Sequence, residues 1–217
     1  IAQVDGTYKN APYDIGTYAH SPYLKGDGRP STGWHAAFAD VDNDARADLF
    51  IAKGNVDQMP SMAMLDPNNL LIQGADGRFT EAGATAGVAD TARSRGAALA
   101  DFDGDGLVDL AVVNRRADMR LYRNVTSDAG HWVKVQLEGP EKNRFAIGAR
   151  VIVMTEGIRQ SQQITIGGGH AGATLLPLHF GIDAAQQATV QVKWPDGTLG
   201  TFVKALADTT IDIRYPH

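Results

Sequence analysis

Two nine-residue acidic segments constrain the fold of this chain more than any other feature. Residues 101–109 read Asp-Phe-Asp-Gly-Asp-Gly-Leu-Val-Asp, and residues 40–48 read Asp-Val-Asp-Asn-Asp-Ala-Arg-Ala-Asp. Each segment places carboxylates at positions 1, 3, 5 and 9. Carboxylates this close repel one another unless a cation neutralises them, and an oxygen-seeking cation such as Ca²⁺ suits such a set. The two segments therefore predict loops that hold one or two Ca²⁺ ions.

The ligands of each loop follow from the spacing. They are the four Asp side chains and the backbone carbonyl of position 7, which belongs to Arg46 or Leu107. Gly106 allows a sharp bend in the second loop, whereas Ala45 replaces that glycine in the first, so a bare turn without an ion stays an alternative there. The predicted metal-binding residues are Asp40, Asp42, Asp44, Arg46 and Asp48 in the first loop, and Asp101, Asp103, Asp105, Leu107 and Asp109 in the second.

The segments that flank the loops read as strands. An EF-hand would need flanking helices and a bidentate Glu at position 12, where the second loop has Val112. Short apolar runs bounded by turn residues instead precede and follow each loop, at 34–39 and 49–52 and at 96–100 and 110–113. Such runs are typical of buried strands. Each loop is therefore predicted to join two strands.

The two loops belong to an internal repeat, since they begin 61 residues apart (101 − 40). Further strands are predicted at 69–73 and 77–80 in the first copy and at 119–124 in the second. Several strands per repeat are typical of β-propeller blades, but a ring usually needs about four to eight blades. The missing blades would come from an absent N-terminal part or from a partner chain, and the start at Ile1 is expected to mark a processed or truncated piece.

From about residue 130 the pattern changes to alternating apolar and polar residues. Strands are predicted at 131–137, 149–154, 163–166, 189–194 and 201–203, with a tight turn at 195–198 and room for a short helix at 182–187. The predicted fold class is all-β: a partial β-propeller followed by a small antiparallel β-sandwich or barrel. The predicted domains are residues 1–128 and 129–217.

These motifs resemble a known pairing of families. Residues 37–44 and 98–109 are similar to FG-GAP (VCBS-type) Ca²⁺-binding repeats. Residues 131–135, 143–151, 178–182 and 192–197 resemble the ASPIC/UnbV domain, which follows such repeats in cartilage acidic protein-like and bacterial secreted proteins. The resemblance implies a Ca²⁺-stabilised architecture with a role in adhesion or complex assembly. The Gly-rich segment 167–174 departs from that family's usual pattern, which puts a shared binding role of this segment in doubt.

Composition excludes several classes of function. A net charge of −5 argues against nucleic acid as the main partner. No cysteine is present, so disulfides and thiolate sites are excluded. No apolar run approaches the roughly 20 residues of a membrane span. Millimolar Ca²⁺ outside cells suits weak structural sites, which favours a secreted or periplasmic protein.

Catalytic motifs are missing from the sequence. The six histidines form no HExxH pattern, no GxSxG elbow occurs, and Gly167–Gly169 does not match a nucleotide-binding loop. His170 in the Gly-rich segment is the best histidine for a functional contact. Arginines of the second repeat form either a solvated face or a docking patch for an acidic partner, with Arg115 and Arg116 as candidate contacts. Asn124-Val-Thr126 is a glycosylation sequon, relevant only to a eukaryotic secreted protein.

Three hypotheses remain open from the sequence. The leading one is a non-catalytic extracytoplasmic Ca²⁺-binding scaffold or adhesion module that engages a partner protein or a glycan. The alternative is a carbohydrate-active, lyase-type enzyme on a propeller scaffold, with a site in an absent region or near His35. The third is an accessory subunit of a larger assembly, whose neighbours complete the propeller.

Overall fold

A computed structural model describes residues 6–17, 32–55, 65–174 and 177–216. Fourteen strands and two 3₁₀ turns, Tyr13–Ile15 and Glu141–Asn143, are assigned within these ranges. The prediction of an all-β fold is confirmed. Residues 56–66, which lie between the two repeats and include three methionines, fall almost wholly outside the described residues. Among the described residues, no helix has the length and hydropathy needed to cross a membrane.

The first repeat forms a four-stranded antiparallel sheet in chain order. Its strands are β1 (Gly33–Ala39), β2 (Asp48–Lys53), β3 (Asn69–Gln73) and β4 (Phe79–Glu81). The first acidic loop connects β1 to β2. Strand β2 is buried along its whole length, so residues 49–52 between its charged ends form an uninterrupted apolar run rather than an alternating pattern.

The second repeat forms a three-stranded antiparallel sheet of β5 (Ser94–Ala100), β6 (Asp109–Asn114) and β7 (Arg120–Tyr122). The second acidic loop connects β5 to β6. Both first strands carry a register shift at the same place, between Gly33 and His35 in β1 and between Ser94 and Gly96 in β5. The offset of 61 residues is therefore preserved down to the position of the register shift.

The two sheets share a core. Phe50 and Ala52 on one face of β2 pack with Ala97, Leu110 and Val112 of the second sheet. The opposite face of the first sheet buries a smaller cluster, Leu49, Ile51 and Leu71, with Phe79 against it. Successive blades of a propeller pack on one another through the faces of their sheets in the same way.

The C-terminal half contains the remaining seven strands, β8 to β14. One sheet has the order β10-β9-β12-β13 and the other β11-β8-β14. Their inner faces enclose a separate core, which includes Val133, Val151, Phe180, Val190 and Trp194. The strands are β8 (His131–Glu138), β9 (Arg150–Thr155), β10 (Ile158–Gln163), β11 (Leu178–Asp183), β12 (Gln187–Lys193), β13 (Val203–Leu206) and β14 (Thr209–Arg214).

The structure corrects three details of the predicted C-terminal half. Strand β14 was not predicted, and it pairs with β8 in parallel, whereas the other paired strands of this half are antiparallel. The strand expected at 163–166 lies earlier, at β10. Residues 182–187, which left room for a short helix, form none: Ile182 enters the core at the end of β11 and the chain turns into β12.

Glutamine side chains bridge the two C-terminal sheets at one seam. Gln160 and Gln162 of β10 donate from Nε2 to the backbone oxygens of Gly181 (2.7 Å) and His179 (2.6 Å) in β11. No backbone ladder joins β10 to β11 among the described strands. The half therefore consists of two separate sheets, which side chains connect along this seam.

Candidate metal centre

The two acidic loops share one backbone conformation. Positions 4 and 6 are left-handed in both, with φ of 59° at Asn43 and 66° at Ala45, and of 83° at Gly104 and 91° at Gly106. Asparagine and glycine adopt this region at little cost, whereas alanine does not. Ala45 therefore holds a strained conformation that the shape of the loop imposes.

Carboxylates at both ends of each loop accept the same backbone hydrogen bonds. The position-9 carboxylate accepts the N–H of position 2, from Val41 to Asp48 and from Phe102 to Asp109, both at 2.9 Å. The position-1 carboxylate accepts the N–H of position 6, from Ala45 to Asp40 and from Gly106 to Asp101, both at 2.8 Å. These bonds close each loop and hold its first and last carboxylates together.

Three carboxylates per loop converge. Oxygens of Asp40, Asp42 and Asp48 all lie within 4.8 Å of one another, and so do oxygens of Asp101, Asp103 and Asp109. Ligands about 2.3–2.6 Å from a Ca²⁺ ion are separated by distances of this order. The structure thus brings positions 1, 3 and 9 together in both loops, as one cation would require.

Position 5 does not join this cluster in either loop. The carboxylate of Asp44 pairs with the Arg46 guanidinium. The carboxylate of Asp105 accepts a bond from Arg123 Nη2 at 3.0 Å, while Arg123 Nε contacts Asp103 at 2.5 Å. The side chains of Asp44 and Asp105 are thus engaged by arginines and stand outside the three-carboxylate cluster of their loop.

Electrostatics in the first loop favour an added positive charge. Burial, together with repulsion from Asp44, Asp42 and Asp48, raises the pKa of Asp40 to about 8. Burial raises the pKa of Asp48 to about 6, against the opposing hydrogen bonds from backbone N–H groups. In addition, Asp42 Oδ1 is buried without a hydrogen-bond partner. A divalent cation would stabilise the ionised carboxylates and satisfy this oxygen, so the residues fit such an ion.

The second loop is partly neutralised by the protein itself. Lys134 of β8 contacts the Asp101 carboxylate. Burial alone would raise the pKa of Asp101, but hydrogen bonds from Lys134, Gly106 and Gly104 outweigh it and leave the pKa lowered. Sequence reasoning missed Lys134 as a counter-charge, because it lies far from the loop in sequence and only the fold brings it there. Arg123 belongs to the arginine group of the second repeat that was expected to balance the acidic loops.

The predicted partner contacts lie in different surroundings. The ring of His170 packs against Trp34, with ring centroids 5.0 Å apart, and the backbone N–H of His170 donates to the Trp34 carbonyl at 3.2 Å. Arg115 is half-buried just after β6, where its backbone N–H donates to the Arg93 carbonyl at 2.8 Å. Arg116 is exposed in the following turn at φ 56°. The wider arginine group is not one solvated face, because Arg95 is 7% exposed and covers the Trp34 ring at 4.5 Å.

The Gly-rich segment 167–174 docks on the inner strands of the two repeats. A Cβ at Gly172 would collide with the backbone of Ala97, and one at Gly169 would collide with the His35 ring. Thr174 Oγ1 accepts the N–H of Leu99 at 3.1 Å. The glycines therefore permit close packing, and His35, 3% exposed, is a packed residue beneath this segment.

The side chain of Asn124, the asparagine of the glycosylation sequon, makes two hydrogen bonds within the fold. Asn124 Nδ2 donates to the Val41 carbonyl at 2.7 Å and to the Val108 carbonyl at 3.1 Å. These carbonyls belong to the first and second loops, so Asn124 ties the loops together. A glycan on Nδ2 would displace these bonds.

Comparison with known protein families agrees with this architecture. Residues 57–112 match the FG-GAP-like repeat, and residues 139–217 match ASPIC and UnbV. The chain is thus similar to an FG-GAP-like repeat in its first half and to ASPIC and UnbV in its second half. The predicted resemblance is therefore confirmed. The match to the FG-GAP-like repeat includes the second acidic loop; the first loop lies outside it and is related to the second by the shared geometry described above.

Curated relatives of the chain are cartilage acidic proteins. Cartilage acidic protein 1 of Xenopus tropicalis is 29% identical over 133 residues, which is 58% of this chain and 20% of the relative. Its counterparts in Mus musculus and Homo sapiens are each 26% identical over 185 residues, which is 82% of this chain and 28% of the relative. The chain thus spans 20–28% of the length of these relatives.

Proposed function

We propose that this chain is a non-catalytic scaffold module that binds Ca²⁺ at both acidic loops and presents its surface to a partner protein or a glycan. The observation that carries the proposal is the convergence, in each loop, of three carboxylates whose oxygens lie within 4.8 Å of one another. Such all-oxygen sets suit Ca²⁺, which tolerates irregular ligand geometry better than Mg²⁺ does.

The ion would be held by Asp40, Asp42 and Asp48 in the first loop, and by Asp101, Asp103 and Asp109 in the second. Asp44 and Asp105, with the backbone carbonyls of Arg46 and Leu107, are the further ligands that the loop spacing suggests. The ion supplies charge neutralisation, which removes the repulsion that opposes closure of each loop. The function we infer for it is structural.

Residues 1–128 and 129–217 are proposed as the two domains, which the separate cores support. The first would contribute two blades of a propeller whose remaining blades come from further sequence or from neighbouring chains in an assembly. A secreted or periplasmic location is supported by the need for millimolar Ca²⁺ and by the family likeness. Sedimentation of the purified chain tests the assembly: a monomer at all concentrations would argue against completion of the ring by copies of itself.

Thermal unfolding with Ca²⁺ and with a chelator tests the metal sites. Ca²⁺ at about 100 times its dissociation constant adds roughly 2.7 kcal/mol per site. Asp42→Asn and Asp103→Asn should each remove part of this gain, and the double variant should remove most of it. Asp212→Asn is the matched control, because it makes the same charge change on the exposed face of β14.

A Ca²⁺-dependent shift that is equal in the wild type and in the double variant would place the ion elsewhere and overturn the assignment. The absence of any shift, together with no heat of binding in a calorimetric Ca²⁺ titration, would show that both loops are bare turns.

A further inference from the structure

Both acidic loops lie in the interface between the repeats and the C-terminal half. The Gly130 N–H donates to the Asp42 carbonyl, and the Asp183 N–H donates to the Asn43 carbonyl, both at 2.9 Å. A Cβ at Gly181 would collide with the Asp40 carboxylate. The C-terminal half therefore touches the backbone and a carboxylate of the first loop directly.

The second loop meets the same half through β8. A Cβ at Gly106 would collide with the indole nitrogen of Trp132, and Lys134 contacts Asp101. Trp132 also stacks on His179 of β11, with ring centroids 5.9 Å apart. Two strands of one C-terminal sheet thus rest on the two loops.

Asn43 joins these contacts at their centre. It is 1% exposed. Its Nδ2 donates to the Gly106 carbonyl of the second loop at 3.1 Å, and its Oδ1 accepts from His179 Nε2 at 2.7 Å. One side chain therefore links the first loop, the second loop and the C-terminal half, in an interior where each bond would leave a buried polar atom unpaired if it broke.

We propose that Ca²⁺ binding at the acidic loops controls the docking of the C-terminal half, with Asn43 as the residue that couples the two loops to that half. The inference rests on the proposed Ca²⁺ binding. The ion fixes the loop backbone, including the carbonyls that accept from Gly130 and Asp183. Without it the carboxylates repel, the loop backbone loses its fixed position, and these acceptors move away from their donors. Because such coupling is reciprocal, docking of the C-terminal half also raises the affinity of the loops for the ion.

Hydrogen exchange measured by mass spectrometry tests the coupling on the full chain. The probes are peptides that contain the amides of Gly130 and Asp183, with the amide of Val190 in the C-terminal core as an internal reference. Ca²⁺ should slow exchange at Gly130 and Asp183 by about 5- to 150-fold relative to chelator, the range of typical couplings between sites. Exchange at Val190 should change much less.

Asn43→Gly is the informative variant, because glycine keeps the left-handed backbone and removes the linking side chain. Calorimetric titration should still show Ca²⁺ binding, while the Ca²⁺-dependent slowing at Gly130 and Asp183 falls sharply. Ala45→Gly is the matched control, since it alters the same loop and should keep the full response. If Asn43→Gly does not fold, Trp132→Leu is the second variant. It removes the indole of the C-terminal half that lies against Gly106 and His179, and it should give the same loss of response.

Two results would count against the proposal in distinguishable ways. If Ca²⁺ binds but exchange at Gly130 and Asp183 is unchanged, or if Asn43→Gly and Trp132→Leu keep the full response, the coupling is wrong and the metal assignment stands. If the titration shows no Ca²⁺ binding at all, the proposed function fails, and the coupling fails with it.

Discussion

Position 6 is alanine in the first acidic loop and glycine in the second, so the two residues can be exchanged and the stabilities of the two variants compared. Ala45 is left-handed at φ 66°, while Gly106 has the same conformation without a Cβ. Ala45→Gly should raise the free energy of unfolding by about 0.5–1 kcal/mol, because relief of the strained backbone exceeds the added entropy of the unfolded chain. Urea unfolding in saturating Ca²⁺ measures the change.

Gly106→Ala should do the opposite and cost about 2–4 kcal/mol, since it adds backbone strain and a collision with Trp132. A neutral effect of Gly106→Ala would contradict the close contact between the second loop and β8.

The burial of His179 predicts the direction in which the free energy of unfolding changes with pH. Burial, and then the nearby charge of Lys134, lowers the pKa of His179 to about 4. The unfolded side chain has a pKa of about 6.5, so between these values the unfolded state binds more protons and stability falls as pH falls. From pH 7.5 to pH 5 the loss should be about 2 kcal/mol.

The measurement compares wild type with His179→Gln, which has no titrating ring. Both are unfolded in urea at several pH values with saturating Ca²⁺, so that the shared titration of the carboxylates cancels in the difference. Equal pH slopes for the two proteins would contradict the burial of a neutral His179.

At the scale of elements, the seam between β10 and β11 depends on two side chains. Gln160→Ala with Gln162→Ala removes both donors to the β11 carbonyls, and we expect a cost of about 1 kcal/mol for each bond. Ser161→Ala lies between them on the exposed side of β10 and should change stability by less than about 0.5 kcal/mol. Urea unfolding of the two variants provides the comparison, and equal stabilities would show that the seam is held by packing alone.

Sequence reasoning succeeded where the determinants are local. Apolar runs beside acidic turns predicted β1, β2, β5 and β6. The spacing of the carboxylates predicted four ligands per loop, of which the structure brings together those at positions 1, 3 and 9 but not the one at position 5. Strand β14 was missed because its alternating pattern is half-exposed and its partner, β8, lies far away in the chain. The glycines at 130, 169 and 181 likewise have no local signal, since each is required by a neighbour that only the tertiary fold supplies.

For the whole molecule, two separate cores lie on either side of the boundary between the repeats and the C-terminal half. The contacts that cross it run through the acidic loops and through the Gly-rich segment 167–174. Because the loops supply part of these contacts, the cooperativity of unfolding should depend on the ion. Differential scanning calorimetry should show one transition in Ca²⁺. In chelator it should show two, with the repeats melting first because only their loops contain the repelling carboxylates. A single transition in chelator would indicate that packing elsewhere holds the halves together.

The parallel pairing of β14 with β8 has a consequence for biosynthesis. The first residue of β14 follows the last residue of β8 by 71 positions (209 − 138). At translation rates of about 5–20 residues per second, the ribosome needs roughly 4–14 s to deliver it. During that interval one edge of β8 has no strand beside it, and β8 carries Val133, Val135 and Leu137, which are core residues of the folded protein. The nascent chain thus carries an open strand edge for seconds, which makes this step the one at which a chaperone has most to protect.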